Sequence, residues 1–138
     1  MTRGPKTAMV LAAGLGTRMR PLTDHRPKAL TPVAGRALID RVLDKLVEAG
    51  VERAVVNVHH FADQMEMHLA RRDDLEILIS DVRAELLDSG GGIQHARDKL
   101  GEDPIFIANI DSLWIEGEVP ALADVKRWFD RHALVTAA

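Results

Sequence analysis

Two glycines follow an apolar run near the start of the chain, in the segment Leu11-Ala-Ala-Gly-Leu-Gly-Thr-Arg-Met-Arg-Pro21. Glycines let the backbone turn tightly and let its N–H groups approach phosphate oxygens closely. Arg18 follows at once, and a guanidinium can grip a phosphate through two hydrogen bonds. These residue types at this spacing favour a phosphate-binding loop.

The spacing fits neither of two common glycine motifs. A P-loop needs a second glycine and then a lysine, but counting from Gly14 those positions hold Met19 and Arg20. A dinucleotide fingerprint needs a third glycine where Met19 stands, and Pro21 interrupts the helix that should follow. The loop therefore belongs to another class of phosphate site.

Two further charged residues have contexts that favour the same chemistry. Lys28 lies between Pro27 and Pro32, which stiffen the segment and hold the ammonium with little entropy to lose. Asp111 follows Ile107-Ala-Asn-Ile at the end of a predicted buried strand, where a carboxylate can hold Mg²⁺ against phosphates. The plain alternatives are an exposed turn at Lys28 and a turn-forming or helix-capping role for Asp111.

The segment Glu85–Ile93 contains three successive glycines before a predicted helix. Bare backbone there allows a flat nucleobase to lie against it and exposes N–H and C=O groups to the edge of the base. The alternative is a flexible turn in which Ser89 caps the helix.

Composition narrows the classes of partner. Five basic residues and one acidic residue lie within Gly14–Arg36, although the chain has a net charge of −3, so a local anionic ligand or a solvated basic loop is indicated. Aromatic residues are only 4%, which argues against a nucleic-acid stacking platform. No apolar run approaches the ~20 residues of a membrane span, and cysteine is absent, so we expect a cytoplasmic protein with neither a membrane nor a nucleic-acid partner. The histidines lack ligand spacing, and no histidine metal site is predicted.

The elements that must position these residues alternate along a single predicted domain, 1–138. Buried apolar runs predict strands at Thr7–Ala13, Arg53–Val58, Leu75–Ser80 and Ile105–Asn109. Helices are predicted at Ala37–Ala49, at Phe61–Arg71, after Gly92 to Leu100 and at Val119–His132, with a long loop over Gly14–Gly35 and the opening of a fifth strand at Ala133–Ala138. This order predicts an α/β fold with a Rossmann-like, mostly parallel sheet and helices on both faces. Ligands bind at the carboxyl ends of such strands, where the glycine loop and Asp111 would meet.

The segment Leu11–Thr23, Pro27-Lys28 and the strand-end Asp111 together resemble the sugar-1-phosphate nucleotidyltransferases, also called nucleoside-diphosphate-sugar pyrophosphorylases. The resemblance runs from Thr7 to about Trp114. Within the family, Asp88–Ile93 and Asn109–Trp114 are most similar to the N-acetylmuramate 1-phosphate uridylyltransferases, with mannose-1-phosphate guanylyltransferases as near relatives.

The resemblance implies a fold of the nucleotidyltransferase type, Mg²⁺ as cofactor, and a nucleoside triphosphate (UTP) and a sugar 1-phosphate (N-acetylmuramate 1-phosphate) as substrates. Arg18 and Lys28 would act on phosphates, and Asp111 would bind the metal. The implied nucleotide-binding residues are Leu11, Ala12, Ala13, Gly14, Gly16, Thr17, Glu85, Gly90, Gly91 and Asn109. The sugar phosphate would attack the α-phosphorus of the nucleotide and expel pyrophosphate.

Two departures from the family pattern stand out. Ile110 occupies a position where the family commonly has glycine, which we expect to narrow the space near the metal. Family members also continue well beyond 138 residues, so we expect an apparently C-terminally truncated domain that holds the nucleotide-binding half. A guanylyltransferase, a non-catalytic nucleotide-binding module and an α/β domain that binds some other phosphate remain as alternatives, and the sequence does not specify an oligomer.

Overall fold

A short apolar strand, β1 (Thr7–Leu11), lies at the centre of the fold in the computed structural model, which describes residues 4–84, 87–111 and 121–125. The other strands are β2 (Pro32–Val33), β3 (Arg36–Ala37), β4 (Arg53–Val58), β5 (Glu76–Asp81) and β6 (Ile105–Asn109). The helices are α1 (Leu38–Glu48), α2 (Ala62–Leu69), α3 (Ser89–His95) and α4 (Arg97–Leu100). Residues 121–125 are also helical, and the rest of the two elements expected beyond Val119 lies outside the described residues.

The main sheet has the order β5-β4-β1-β6, and all of its pairs are parallel. β1 pairs with β4 on one side and with β6 on the other, so the order of strands reverses at β1. Ligands of open α/β sheets bind at such a switch point, outside the carboxyl ends of the strands.

Alternating residues of the central strands pack on opposite faces of the sheet. Ala8 and Val10 join the larger core with α1 and α2, while Met9 joins a smaller core with α3 and α4. The expected parallel sheet with helices on both faces is therefore confirmed. No helix within the described ranges is long and apolar enough to cross a bilayer.

Several predicted boundaries were wrong. The helices predicted at Ala37–Ala49 and Phe61–Arg71 are the shorter α1 and α2, and the helix predicted to run to Leu100 divides into α3 and α4. β1 ends at Leu11 and not at Ala13, because the N–H of Ala12 donates to a side chain of β4. α3 begins at Ser89, four residues before the expected start after Gly92, because Asp88 caps it by accepting from the N–H of Gly91 at 2.6 Å. The third long strand is Glu76–Asp81, one residue later than predicted, in register with β4 from Arg53 to Val58.

The segment between β1 and α1 was expected to be one long loop, but it contains local structure. Two 3-10 turns, Thr17–Met19 and Lys28–Leu30, precede a small antiparallel hairpin of β2 and β3. Ala34 and Gly35 at the hairpin tip both have positive φ, the combination of a type I′ turn. The loop is therefore ordered by turns that the apolar pattern does not reveal.

Thr23 fixes the glycine loop from inside. Its buried hydroxyl donates to the carbonyl of Gly16 at 2.6 Å, and its methyl group lies where a Cβ on Gly16 would be only 2.8 Å away. Gly16 has φ 69°, so both backbone conformation and packing require glycine at this position.

An ionic network joins α1 to the end of α2. Arg72, whose side chain is 10% exposed, donates to Asp40, Asp44 and Asp74, and His68 Nε2 lies 2.6 Å from Asp40 Oδ2. Partial burial raises the pKa of Asp44, but hydrogen bonds from Arg36 and Arg72 outweigh it and lower the value; the Arg72 hydrogen bond also lowers the pKa of Asp74. The network holds two helices of one face together through charge as well as apolar packing.

We expect Arg72→Met to lower the free energy of unfolding by about 3 kcal/mol at pH 7, mainly because it removes the guanidinium that pairs with the buried carboxylate of Asp40. The neighbouring Arg71→Met, at an exposed position, should change it by less than about 0.5 kcal/mol. The lowered pKa values of Asp44 and Asp74 add stability above about pH 4 that is lost as pH falls through their folded values. In urea unfolding, the difference in free energy of unfolding between the parent and Arg72→Met should therefore become smaller from pH 7 to pH 3. A difference that stays constant with pH would contradict the ionic role of Arg72.

Gly16→Ala and Gly35→Ala form a matched pair, because both residues have positive φ but only Gly16 has close neighbours. Gly35→Ala should cost about 1–2 kcal/mol of backbone strain. Gly16→Ala should cost a further 1–3 kcal/mol, since Thr23 and Lys28 must move away. Equal losses in urea unfolding would show that contact with Thr23 does not constrain the loop.

Candidate functional site

The carboxyl ends of β1 and β6 open into a cavity of about 270 Å³. The segment before α3 closes its other side. Its lining residues are Leu11, Ala12, Ala13, Gly14, Lys28, Asn57, Leu87, Asp88, Ser89, Asn109, Ile110 and Asp111. Segments that are far apart in sequence thus contribute to one concave surface at the switch point of the sheet.

Lys28 and Asp111 meet in this cavity. Lys28 Nζ donates to Asp111 Oδ2 at 2.8 Å, and the side chains are 24% and 50% exposed. The hydrogen bond from Lys28 lowers the pKa of Asp111, with a smaller contribution from the charge of Arg18. The site therefore presents a paired ammonium and an ionised carboxylate that a ligand can reach from solvent.

The residues expected from the glycine loop divide into those that line the cavity and those that do not. Leu11 to Gly14 line it, whereas Gly16 and Thr17 belong to the left-handed turn and the 3-10 turn that follow. Arg18 is exposed on that turn, close enough for its charge to act on Asp111. The structure thus places a second cation beside the cavity rather than within its wall.

The packing around Gly14 differs from the packing around the glycines of α3. A Cβ at Gly14 would have no atom within 4 Å, so packing alone does not require glycine there. A Cβ at Gly91 would lie 2.9 Å from the capping carboxylate of Asp88, and one at Gly92 would lie 3.1 Å from Asn57 Nδ2. Gly90 and Gly91 lie in the first turn of α3, next to the lining residue Ser89 but outside the wall itself. Glu85 lies outside the described residues.

Asn57 is a residue of the site that the sequence analysis did not identify. It is only 4% exposed, and its Oδ1 accepts from the N–H of Ala12 at 2.6 Å. The side chain thereby fixes the point at which the glycine loop leaves β1. The signal that could have found it is a polar residue inside the apolar strand Ala54–Val58, because a buried amide requires partners.

Thr23 and Leu87–Ser89 were also missed. Thr23 stands in a polar loop whose composition gives no sign that one hydroxyl is buried. The sequence analysis treated Leu87, Asp88 and Ser89 as the approach to the glycines, with Ser89 as the alternative helix cap. The structure instead makes Asp88 the cap, and all three residues line the cavity, whereas Gly90 to Gly92 do not. Ile110 is 4% exposed and packs in the core on the α1 side, while it also lines the cavity near Asp111.

Asp111 has the chemistry of a Mg²⁺ ligand. Its carboxylate is a hard oxygen donor, is ionised, and is half exposed at the end of β6. The part of the chain that the structure describes holds no cluster of three or more histidine or acidic residues suited to a metal. A single carboxylate suits Mg²⁺ that keeps several waters and shares substrate phosphates, so the residues fit a nucleotide-dependent metal.

Residues 8–132 match the family model of the MobA-like NTP transferase domain. The chain is 63% identical over 120 residues to the N-acetylmuramate alpha-1-phosphate uridylyltransferase of Caulobacter vibrioides. That match covers 84% of this chain and 50% of the relative. The chain is 42% identical over 108 residues to the protein of the same name from Neisseria meningitidis serogroup B, covering 77% of this chain and 47% of that one.

The fold is similar to that of a UDP-glucose pyrophosphorylase complexed with UDP-glucose, with a TM-score of 0.80 at 23% identity, over 94% of this chain and 54% of that one. The chain spans about half the length of the curated relatives it matches. Because the family model covers most of the sequence and the cavity lies at the switch point of the matching fold, the chain belongs to the MobA-like NTP transferase family.

Proposed function

We propose that this chain forms the nucleotide-binding part of an enzyme that transfers a uridylyl group from UTP to a sugar 1-phosphate and releases pyrophosphate. The proposed acceptor is N-acetylmuramate 1-phosphate, which the name of the 63% identical relative supports. Since the relatives are about twice as long, the complete reaction is proposed for the whole protein and nucleotide binding for the chain itself.

The observation that carries this proposal is the meeting of Lys28 and Asp111 beside the bare backbone of Gly14. A triphosphate needs a cation and a metal ligand at the same place, and the pair supplies both within 2.8 Å. Gly14 leaves room that no packing constraint explains, which suits close approach of a ligand to the backbone.

The reaction needs little proton transfer from the protein. The oxygen of a sugar 1-phosphate is already anionic, so it can attack the α-phosphorus without a general base. Catalysis then depends on alignment of the reactants and on stabilisation of the charge that develops on the phosphates. Lys28 and Arg18 are the residues we assign to that charge, and Leu11–Gly14 are assigned to holding the nucleotide.

Asp111 is the residue we assign to Mg²⁺. When bound, the metal would neutralise phosphate charge and help to orient the phosphate oxygens. Lys28 can then donate to a phosphate oxygen as well as to Asp111, because its ammonium carries three donors. Asn109 stands two residues earlier, at the exposed end of β6, and is assigned to the nucleotide.

Calorimetric titration of the chain with UTP and with GTP, each with Mg²⁺, tests nucleotide binding. Binding of UTP in preference to GTP is the expected result, and a preference for GTP would favour a guanylyltransferase. Pyrophosphate release by the whole protein, assayed with N-acetylmuramate 1-phosphate and with mannose 1-phosphate, tests the acceptor.

Lys28→Ala and Arg18→Ala should each weaken binding of the Mg²⁺ triphosphate by about tenfold or more, because each removes a charge-assisted contact of ~1.5–3 kcal/mol. Arg53→Ala is the matched control, since Arg53 pairs with Glu76 where β4 and β5 begin, at the opposite edge of the sheet. It should leave the affinity unchanged. Equal effects of all three substitutions in calorimetry would mean that net charge, and not the loop, governs binding.

Asp111→Asn should remove the dependence of triphosphate affinity on Mg²⁺ while the fold remains intact. The parent should bind UTP several-fold more tightly with Mg²⁺ than with EDTA, because one carboxylate and the phosphates share the ion. The variant should bind UTP equally with and without the metal, since an amide is a poor ligand for Mg²⁺. A variant that still responds to Mg²⁺ would assign the metal to a different residue.

A further inference from the structure

Asn57 has one hydrogen-bonding group without a partner among the described residues. Its Oδ1 accepts from Ala12, and this fixes the amide orientation, because the reverse orientation would set two donors against each other. Nδ2 finds no acceptor among residues 4–84, 87–111 and 121–125, although the residue is 96% buried and lines the cavity. Nδ2 is not one of the fully enclosed atoms without a partner, which in the described residues are Thr31 Oγ1 and Ser80 Oγ, so a ligand or water in the cavity can reach it and complete its hydrogen bonding.

The position of Asn57 relates to the two ends of the cavity. Asp111 follows β6 and Asn57 lies near the end of β4, and these strands flank β1 on opposite sides. Two strand spacings, about 10 Å, therefore separate the charged end from the amide end. The charged end suits phosphates. Leu87 also lines the cavity, and Gly92 of α3 lies beside the amide, outside the lining.

A nucleotide whose phosphates lie at Lys28 and Asp111 would place its base at the other end, beside Asn57. Nδ2 can only donate, so it matches a carbonyl oxygen on the edge of a base and not an exocyclic amino group. Gly92 leaves the amide in place, since a Cβ there would lie 3.1 Å from Nδ2 and would press against it.

We propose that Asn57 takes part in recognition of the base: its Nδ2 donates a hydrogen bond to a carbonyl oxygen of uracil while its Oδ1 holds the loop at Ala12. This inference rests on the proposed function, because it assumes that the cavity binds UTP. A site that pairs a buried donor with a substrate acceptor discriminates strongly against analogues that lack the acceptor.

The test compares dissociation constants for UTP, 2-thio-UTP and 4-thio-UTP, because sulfur is a much weaker hydrogen-bond acceptor than a carbonyl oxygen. Each ligand is titrated with Mg²⁺ into the parent, Asn57→Asp and Ser80→Ala. Asn57→Asp keeps an acceptor for Ala12 but removes the donor, and the ratio of two affinities within one variant cancels its added charge. Ser80→Ala is the matched control, because Ser80 is the buried register partner of Asn57 on β5 and does not line the cavity.

The parent and Ser80→Ala should bind one of the two thio analogues about tenfold more weakly than UTP. In Asn57→Asp that ratio should fall to about one, and Gly92→Ala should reduce it as well by displacing the amide. If the ratio of the dissociation constants for the thio analogue and UTP were the same in Asn57→Asp as in the parent, the amide would not contact the base. Nucleotide binding by the cavity would be unaffected by that result, which is the one expected if the amide contacted the ribose instead. Failure of the parent to bind any triphosphate would overturn the proposed function together with this inference.

Discussion

The parallel pairing of β1 with β4 and β6 is the constraint on which the site depends. Leu11 is the register partner of Asn109, and Val10 is the partner of Val56. Asn57 therefore comes level with the point where the chain leaves β1, and Asp111 comes two residues beyond the end of β6. A shift of either strand by one residue would turn these side chains toward the opposite face of the sheet. The apolar residues that set the register thus also set the positions of Asn57, Asn109 and Asp111 at the cavity.

The glycine loop is held by side chains and not by a helix. In phosphate sites formed at a helix start, the helix itself orients the N–H groups. Here Asn57 fixes Ala12, Thr23 fixes Gly16, and Gln64 of α2 donates to the carbonyl of His25. Asn57 and Gln64 belong to other elements of the chain, and Thr23 lies seven residues beyond Gly16 in the same segment. This explains why the spacing of the loop matches neither a P-loop nor a dinucleotide fingerprint.

The sequence predicts the long elements of this fold because their signals are local. Met9 and Val55 alternate with Val10 and Val56 between two buried faces, so the strands read as continuous apolar runs, and α1 has an apolar stripe at helical spacing. The errors arise where a side chain some residues away decides. Asp88 sets the start of α3 by capping it, and a hydrogen bond to Asn57 ends β1, which no run of apolar residues can reveal.

The site residues also divide into those that a local sequence pattern identifies and those that depend on contacts with distant parts of the chain. Lys28 and Asp111 could be named from sequence because prolines and a strand end give each of them a context. Their direct contact could not be derived, since 83 residues separate them and only the sheet order brings them together. Asn57 and Thr23 were missed for a related reason. Their importance lies in being buried beside a backbone group of another segment, which is a property of the packed chain.

The contact between Lys28 and Asp111 also bears on how a charged ligand can enter the site. Two opposite charges of 24% and 50% exposure gain little from their pairing, because water screens them. Their mutual attraction is therefore a small barrier to exchange with a ligand that offers better partners to both. A phosphate group offers lysine an anionic acceptor, and a divalent cation offers the carboxylate a stronger partner than an ammonium. Neither exchange alone is neutral, since it leaves one member of the pair without its counter-charge. Arrival of the phosphate and the cation together would satisfy both side chains at once, so this pair supports the proposal that the chain binds a triphosphate together with its metal.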